Sequence, residues 1–169
     1  MKDRSEFLIR SLREEDYPFI LELNAKNVEV LAPMDMEKLR DFAKYAELFL
    51  VAESEGRPAA FLIALREGVS AYNSENYRWF SRCCPRFLYV DRIVIDEPFR
   101  SRGLGRQLYQ TVFSHAKAMG APSVTAEIDT VPYNAASLAF HKAMGFCEVG
   151  TQWVRDNTIQ VSLQAAAVR

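Results

Sequence analysis

Apolar and polar residues alternate from Phe7 to Leu12, which predicts a short strand with one buried face. Asp16 and Pro18 then open a helical pattern, with Phe19, Ile20 and Leu23 at helical spacing. A further helix is predicted over 36–45, where Leu39, Phe42 and Ala43 share a face. Two β-rich runs follow, 48–53 and 59–65, joined by Gly56-Arg57-Pro58; so short a Gly/Pro connection makes them an antiparallel hairpin. Residues 87–95 read as the fourth strand. Leu104, Leu108, Val112, Ala116 and Met119 then mark one face of a helix that Gly120 and Pro122 end. A strand over 124–128 and a helix over 134–144 follow, with Gly145 just past the helix end. Segments 146–154 and 158–163 fit a closing hairpin. Hairpins mixed with βαβ crossovers predict an α/β fold: a mixed sheet with helices on both faces.

Residues 67–86, EGVSAYNSENYRWFSRCCPR, break this pattern. A connection this long inside a compact domain is usually functional or disordered. Tyr72, Tyr77, Trp79 and Phe80 argue against disorder, which is poor in aromatics. Glu75, Tyr77 and Trp79 could attract and wall in an ammonium group; a packed surface loop or homodimer contact is the alternative. Glu29, in the loop between the first two helices, is a second charge that could wall such a group.

Composition narrows the function classes. A length of 169 residues predicts one domain, 1–169. Lys and Arg total 21 against 22 Asp and Glu, so the basic excess of a dedicated nucleic-acid binder is missing. No apolar run has the length of a membrane span, and the N-terminus lacks a signal-peptide stretch. Cys83, Cys84 and Cys147 have no zinc spacing, which predicts no metal site and reduced thiols in a cytoplasmic protein. Adjacent Cys83 and Cys84 are poorly placed to bridge each other.

Two elements carry chemistry. Arg100-Ser101-Arg102-Gly103-Leu104-Gly105 lies between a strand and a helix. The first N–H groups of a helix lack intrahelical partners and the peptide dipoles make that end positive, so such a turn cradles an anion. Gly103 and Gly105 let the backbone approach a phosphate, and Arg100, Arg102 and Arg106 add positive charge; a pyrophosphate is the expected ligand. Leu108 stands where a dinucleotide fingerprint needs a small residue, and no P-loop pattern is present. In the later helix, Asn134 is a good N-cap and shares a face with Ser137 and His141.

Together these elements resemble the GNAT superfamily of acyl-CoA N-acyltransferases. The family's turn reads Arg or Gln, two residues, Gly, one residue, then Gly or Ala, as in Arg100–Gly105 here. Its later helix runs from an Asn to a Gly-Phe pair, matched by Asn134, Ser137, Phe140, Gly145 and Phe146. The resemblance implies a mostly antiparallel mixed sheet, splayed between strands four and five, that admits acetyl-CoA. Pantetheine would run beside Ile93, Val94 and Ile95, with the pyrophosphate on the amides of 102–106 and Asn134 and Phe140 at the pantetheine arm. The family's frequent tyrosine acid is replaced by His141, whose imidazolium could protonate the departing thiolate.

The implied reaction is acetyl transfer from acetyl-CoA to a primary amine, by direct attack in a ternary complex. Its general base would be Glu127, where related enzymes often carry a glutamate, or Asp91, where other members place a base. Strand alternation puts Tyr89, Asp91 and Ile93 on one face. Cys147 follows Gly145-Phe146 and is expected in a buried strand, which argues against an acyl-cysteine route. The competing expectation is a non-catalytic acyl-CoA-binding module.

Overall fold

A computed structural model describes residues 6–169. The strands are β1 (Leu8–Ser11), β2 (Leu48–Ser54), β3 (Arg57–Arg66), β4 (Leu88–Ile95), β5 (Ser123–Val131), β6 (Cys147–Val154) and β7 (Ile159–Ala167). The helices are α1 (Tyr17–Ala25), α2 (Met36–Tyr45), α3 (Glu75–Cys83), α4 (Leu104–Ala118) and α5 (Ala135–Ala143). The strands form a seven-stranded mixed sheet in the order β1-β2-β3-β4-β5-β7-β6. Among the described residues, no helix is long and apolar enough to cross a membrane.

The chain divides into two compact units. The first runs to Ala64 and takes in Arg92–Leu108. Here β1, β2 and β3 pair antiparallel, with Leu8 opposite Glu53 and Leu50 opposite Leu62. Leu39 and Phe42 of α2 are fully buried, as the helical spacing predicts. Asp35 caps α2 by accepting from Lys38 N–H at 2.8 Å. Arg10 grips buried Asp16 with both terminal nitrogens, at 2.8 and 2.9 Å, and donates from Nε to Glu53 at 3.0 Å. Arg92 is buried, donates to Asn24 Oδ1 (2.8 Å) and the Ala32 carbonyl (3.1 Å), and lies over the Phe42 ring. A charge so deep persists only because these acceptors and the ring surround it.

The second unit takes Leu65–Asp91 and Tyr109–Arg169. β7 pairs antiparallel with both β5 and β6, giving the expected closing hairpin, but Cys147, expected buried, is exposed at the start of β6, a strand paired on one side only by β7. β4 joins β5 in parallel, with Leu88 opposite Val124 and Tyr89 opposite Thr125. The pattern-breaking segment contains the nine-residue helix α3. Ser74 caps it by accepting from Tyr77 N–H at 3.3 Å, and Tyr77 and Phe80 form its buried face. A helix this short gains little from its own hydrogen bonds. Packing of aromatic rings supplies the stabilisation: Phe80 and Tyr77 lie 5.9 and 5.5 Å from the Tyr89 ring. Trp79 lies against β6 so closely that a Cβ at Gly150 would sit 2.5 Å from its ring.

Candidate active site

The turn before α4 belongs to the first unit. Ser101 (φ +62°) and Gly103 (φ +77°) both adopt left-handed conformations, so the chain twists back on itself before the helix begins. Such a turn directs successive N–H groups to one side. The first helical bond after it runs from Gln107 N–H to the Gly103 carbonyl, at 3.1 Å. Leu104 and Gly105 are buried and Arg106 is exposed.

Two of the three arginines around the turn make contacts within the first unit. Arg100 donates to the Ile95 carbonyl (2.9 Å) and to Asn27 Oδ1 (3.2 Å). Arg102 pairs with Glu6 and lies over the Phe99 ring. The residues present therefore fit an anion cradle built chiefly of backbone amides. Ile93 and Ile95 are half-buried with Val94 buried between them, and Glu29 is exposed.

The other residues lie in the second unit. Asn134 caps α5, its Oδ1 accepting from Ser137 N–H at 3.1 Å. At the far end Gly145 takes φ +95°, and Phe146 N–H reaches back to the His141 carbonyl at 3.0 Å. The Gly-Phe pair is thus a helix stop in which only glycine is unstrained. His141 is buried, and both ring nitrogens are engaged. Nδ1 lies 2.8 Å from the Ser137 carbonyl and Nε2 lies 2.7 Å from the Tyr109 hydroxyl. Only a protonated Nδ1 can serve the carbonyl, so Nε2 accepts from Tyr109 in the neutral ring. Burial lowers the imidazole's pKa, with the Ser137 contact opposing it. Tyr109, Phe140 and Phe146 surround the ring.

Glu127 and Asp91 come together, and sequence reasoning missed most of their partners. Tyr89 donates its hydroxyl to Glu127 Oε2 at 2.6 Å. Asn76, on α3, bonds the same carboxylate through its side chain. Gln152 Nε2 donates to Asn76 Oδ1 at 2.8 Å, which turns the Asn76 amide N–H toward the acid. Asp91 accepts from the Tyr72 hydroxyl. Glu127 is crowded by protein atoms while retaining some exposed surface. Burial foremost, then the charge of Asp91, pushes its carboxyl up to about 8 against the pull of Tyr89 and Asn76. Alternation placed Tyr89 on the Asp91 face; Asn76 and Gln152 had no signal beyond being polar.

The loop candidates divide. Tyr77 is buried, accepts from Val69 N–H at 3.0 Å and donates to the Arg66 carbonyl, so it fastens the turn before α3. Trp79 packs on β6, and Glu75 is exposed in the first turn of α3. A cavity of about 570 Å³ is lined by Glu67, Tyr72, Tyr77, Arg78, Ser81 and Cys84, among others.

A seven-stranded mixed sheet with a parallel β4–β5 pair and helices around it is the fold of an acyltransferase. The chain matches the family model of the Acetyltransferase (GNAT) family over residues 8–146 and belongs to that family. No curated protein sequence matches it. Among solved structures it resembles the ribosomal-protein-S18-alanine N-acetyltransferase of Escherichia coli. There the identity is 19% and the TM-score 0.70, over 96% of this chain and 94% of that one. It also resembles Naa20 of Chaetomium thermophilum in complex with a bisubstrate analogue (20% identity, TM-score 0.75, 95% and 86% covered). A third is yncA of Salmonella typhimurium, a protein solved with acetyl-CoA (18% identity, TM-score 0.68, 98% and 95% covered).

Proposed function

We propose that this acetyltransferase moves an acetyl group from acetyl-CoA to a primary amine by direct attack, with Glu127 as general base. The observation that carries the reading is the Glu127 carboxyl, held by Tyr89 and Asn76 and raised to about 8. A base is most effective when its pKa lies near the working pH. The amine must shed a proton as its nitrogen attacks the thioester carbonyl, and the Glu127 carboxylate accepts it. The departing thiol is acidic enough, near the 8.5 of free cysteine, to leave as a thiolate without an acid. His141, neutral and bonded at both nitrogens, therefore takes no proton-transfer step in this reading.

The cradle of left-handed Ser101 and Gly103 supports pyrophosphate binding at the amides of 102–106, with pantetheine along Ile93–Ile95. Asn134 and Phe140 are assigned to the pantetheine arm by family resemblance. One catalytic domain, 1–169, working in the cytoplasm on a small amine or a peptide, completes the reading. Thiol release from acetyl-CoA across a panel of amines and N-terminal peptides tests it. Acetyl-CoA binding with no release on any acceptor would identify a binding module instead.

Asn76 provides a finer test. It donates to the charged form of Glu127, so its loss destabilises the carboxylate. For Asn76→Leu we expect the rising limb of the kcat/KM–pH profile to move to higher pH. At pH 7 the rate should fall by about tenfold or less. An unmoved limb would disconnect Asn76 from the base.

A further inference from the structure

We propose that Cys83 and Cys84 form a dithiol site for a trivalent organoarsenical, a ligand that takes two sulfurs at a bent centre. The two sulfurs lie 3.3 Å apart, and all three cysteines of the chain are unbridged. Cys83 is exposed and Cys84 half-exposed.

The backbone explains the proximity. Side chains of adjacent residues point oppositely on a strand, and about 100° apart on a helix. Cys83 is the last residue of α3, whereas Cys84 is extended at φ −133° and ψ 121°. Pro85 enforces that change, because the residue before proline is disfavoured in the helical region. The switch between two conformations turns both Sγ atoms to one side. Both residues also anchor on one carbonyl: Cys84 N–H donates to Phe80 O at 2.9 Å, and Cys83 Sγ lies 3.6 Å from it.

The spacing selects the ligand. A disulfide needs about 2.05 Å. With metal–sulfur bonds near 2.3 Å, a linear two-thiolate ion needs sulfurs about 4.6 Å apart, and a centre with a right angle needs about 3.3 Å. Zinc wants four ligands. Among the described residues no group of three or more His, Cys, Asp and Glu side chains could hold a metal ion. Pyramidal trivalent arsenic bearing one organic group takes two thiols and no more. Cys84 also lines the 570 Å³ cavity beside Tyr72 and Tyr77, which gives an aryl substituent apolar room. With an arsenoxide R–As=O, two S–H bonds and the As=O bond break. Two As–S bonds form, both protons leave in one water molecule, and arsenic stays trivalent.

The full chain would be treated with one equivalent of phenylarsine oxide, chased with excess 2-mercaptoethanol, and weighed by intact mass spectrometry. One adduct should survive the monothiol and be released by 2,3-dimercaptopropanol. Because the second bond forms within the molecule, Cys83→Ser and Cys84→Ser should each weaken retention by about 10²-fold or more. Cys147→Ser should retain the adduct. Peptide mapping of the wild-type adduct after alkylation serves if a variant fails to fold: Cys83 and Cys84 should be protected and Cys147 labelled. An adduct lost to the monothiol, or alkylation of Cys83 and Cys84 in its presence, would overturn the proposal.

Discussion

Glu127→Gln should lower kcat by about 10²–10⁴-fold, the usual worth of a general base, while leaving acetyl-CoA affinity nearly intact. The same change should stabilise the protein at alkaline pH. A glutamate carboxyl titrates near 4.5 when unfolded and near 8 here, so between those values the folded chain holds a proton that the unfolded chain has released. Stability therefore falls as pH rises through that window, because folding must take up a proton that becomes scarcer. Glutamine carries no charge to bury and can still meet Tyr89 or Asn76. The gain at pH 9 should be on the order of a few kcal/mol, and should vanish near pH 4, where both forms are neutral. Thermal unfolding at the two pH values, beside steady-state kinetics, separates the outcomes. Equal loss of turnover and of donor affinity, with no alkaline gain, would make Glu127 a structural residue.

His141→Ala should do the reverse: a large loss of stability and little change in kcat. Removing the ring opens a cavity among Tyr109, Phe140 and Phe146 and leaves the buried Tyr109 hydroxyl without its acceptor. The two effects together should cost about 3 kcal/mol or more. The loss should depend on pH. Burial holds the His141 pKa below its usual 6.5, so the stabilisation is complete above 6.5 and fades as pH falls below it, when the unfolded imidazole takes up a proton. Denaturant melts at pH 8 and pH 5 should show the gap between wild type and variant closing. A kcat reduced by 100-fold at a temperature where the variant remains folded would restore His141 to the chemistry.

The architecture was legible wherever a period held for long enough. β2, β3, β6 and β7 carry alternating or continuous apolar runs, and α2 and α4 carry clear stripes. α3 escaped because nine residues with two buried rings give less than one full repeat of evidence, and because its packing partner Tyr89 lies beyond the helix. The glycine turn before α4 was readable because its pattern is local: glycine, a strand end and a helix start. The fates of Arg100 and Arg102 were not, since Asn27 and Glu6 stand 73 and 96 residues away. Glu127 could be named from family resemblance, but its pKa is set by burial and by Asp91, which raise it against Tyr89 and Asn76, and these partners come from two other elements, β4 and α3. Long-range pairs of single polar residues leave no periodic trace in a chain.

In the proposed reading, the contacts of Arg100 and Arg102 bear on how the donor would be recognised. An anion held by side-chain cations is attracted from a distance and loosened by salt. Fixed amide dipoles act only within the first turn of a helix and in fixed directions. In the proposed reading, recognition at the turn before α4 would rest on fit as well as field: Arg100 meets only neutral acceptors and Arg106 is exposed, so their charge persists, while the amides favour ligands whose oxygens match their spacing.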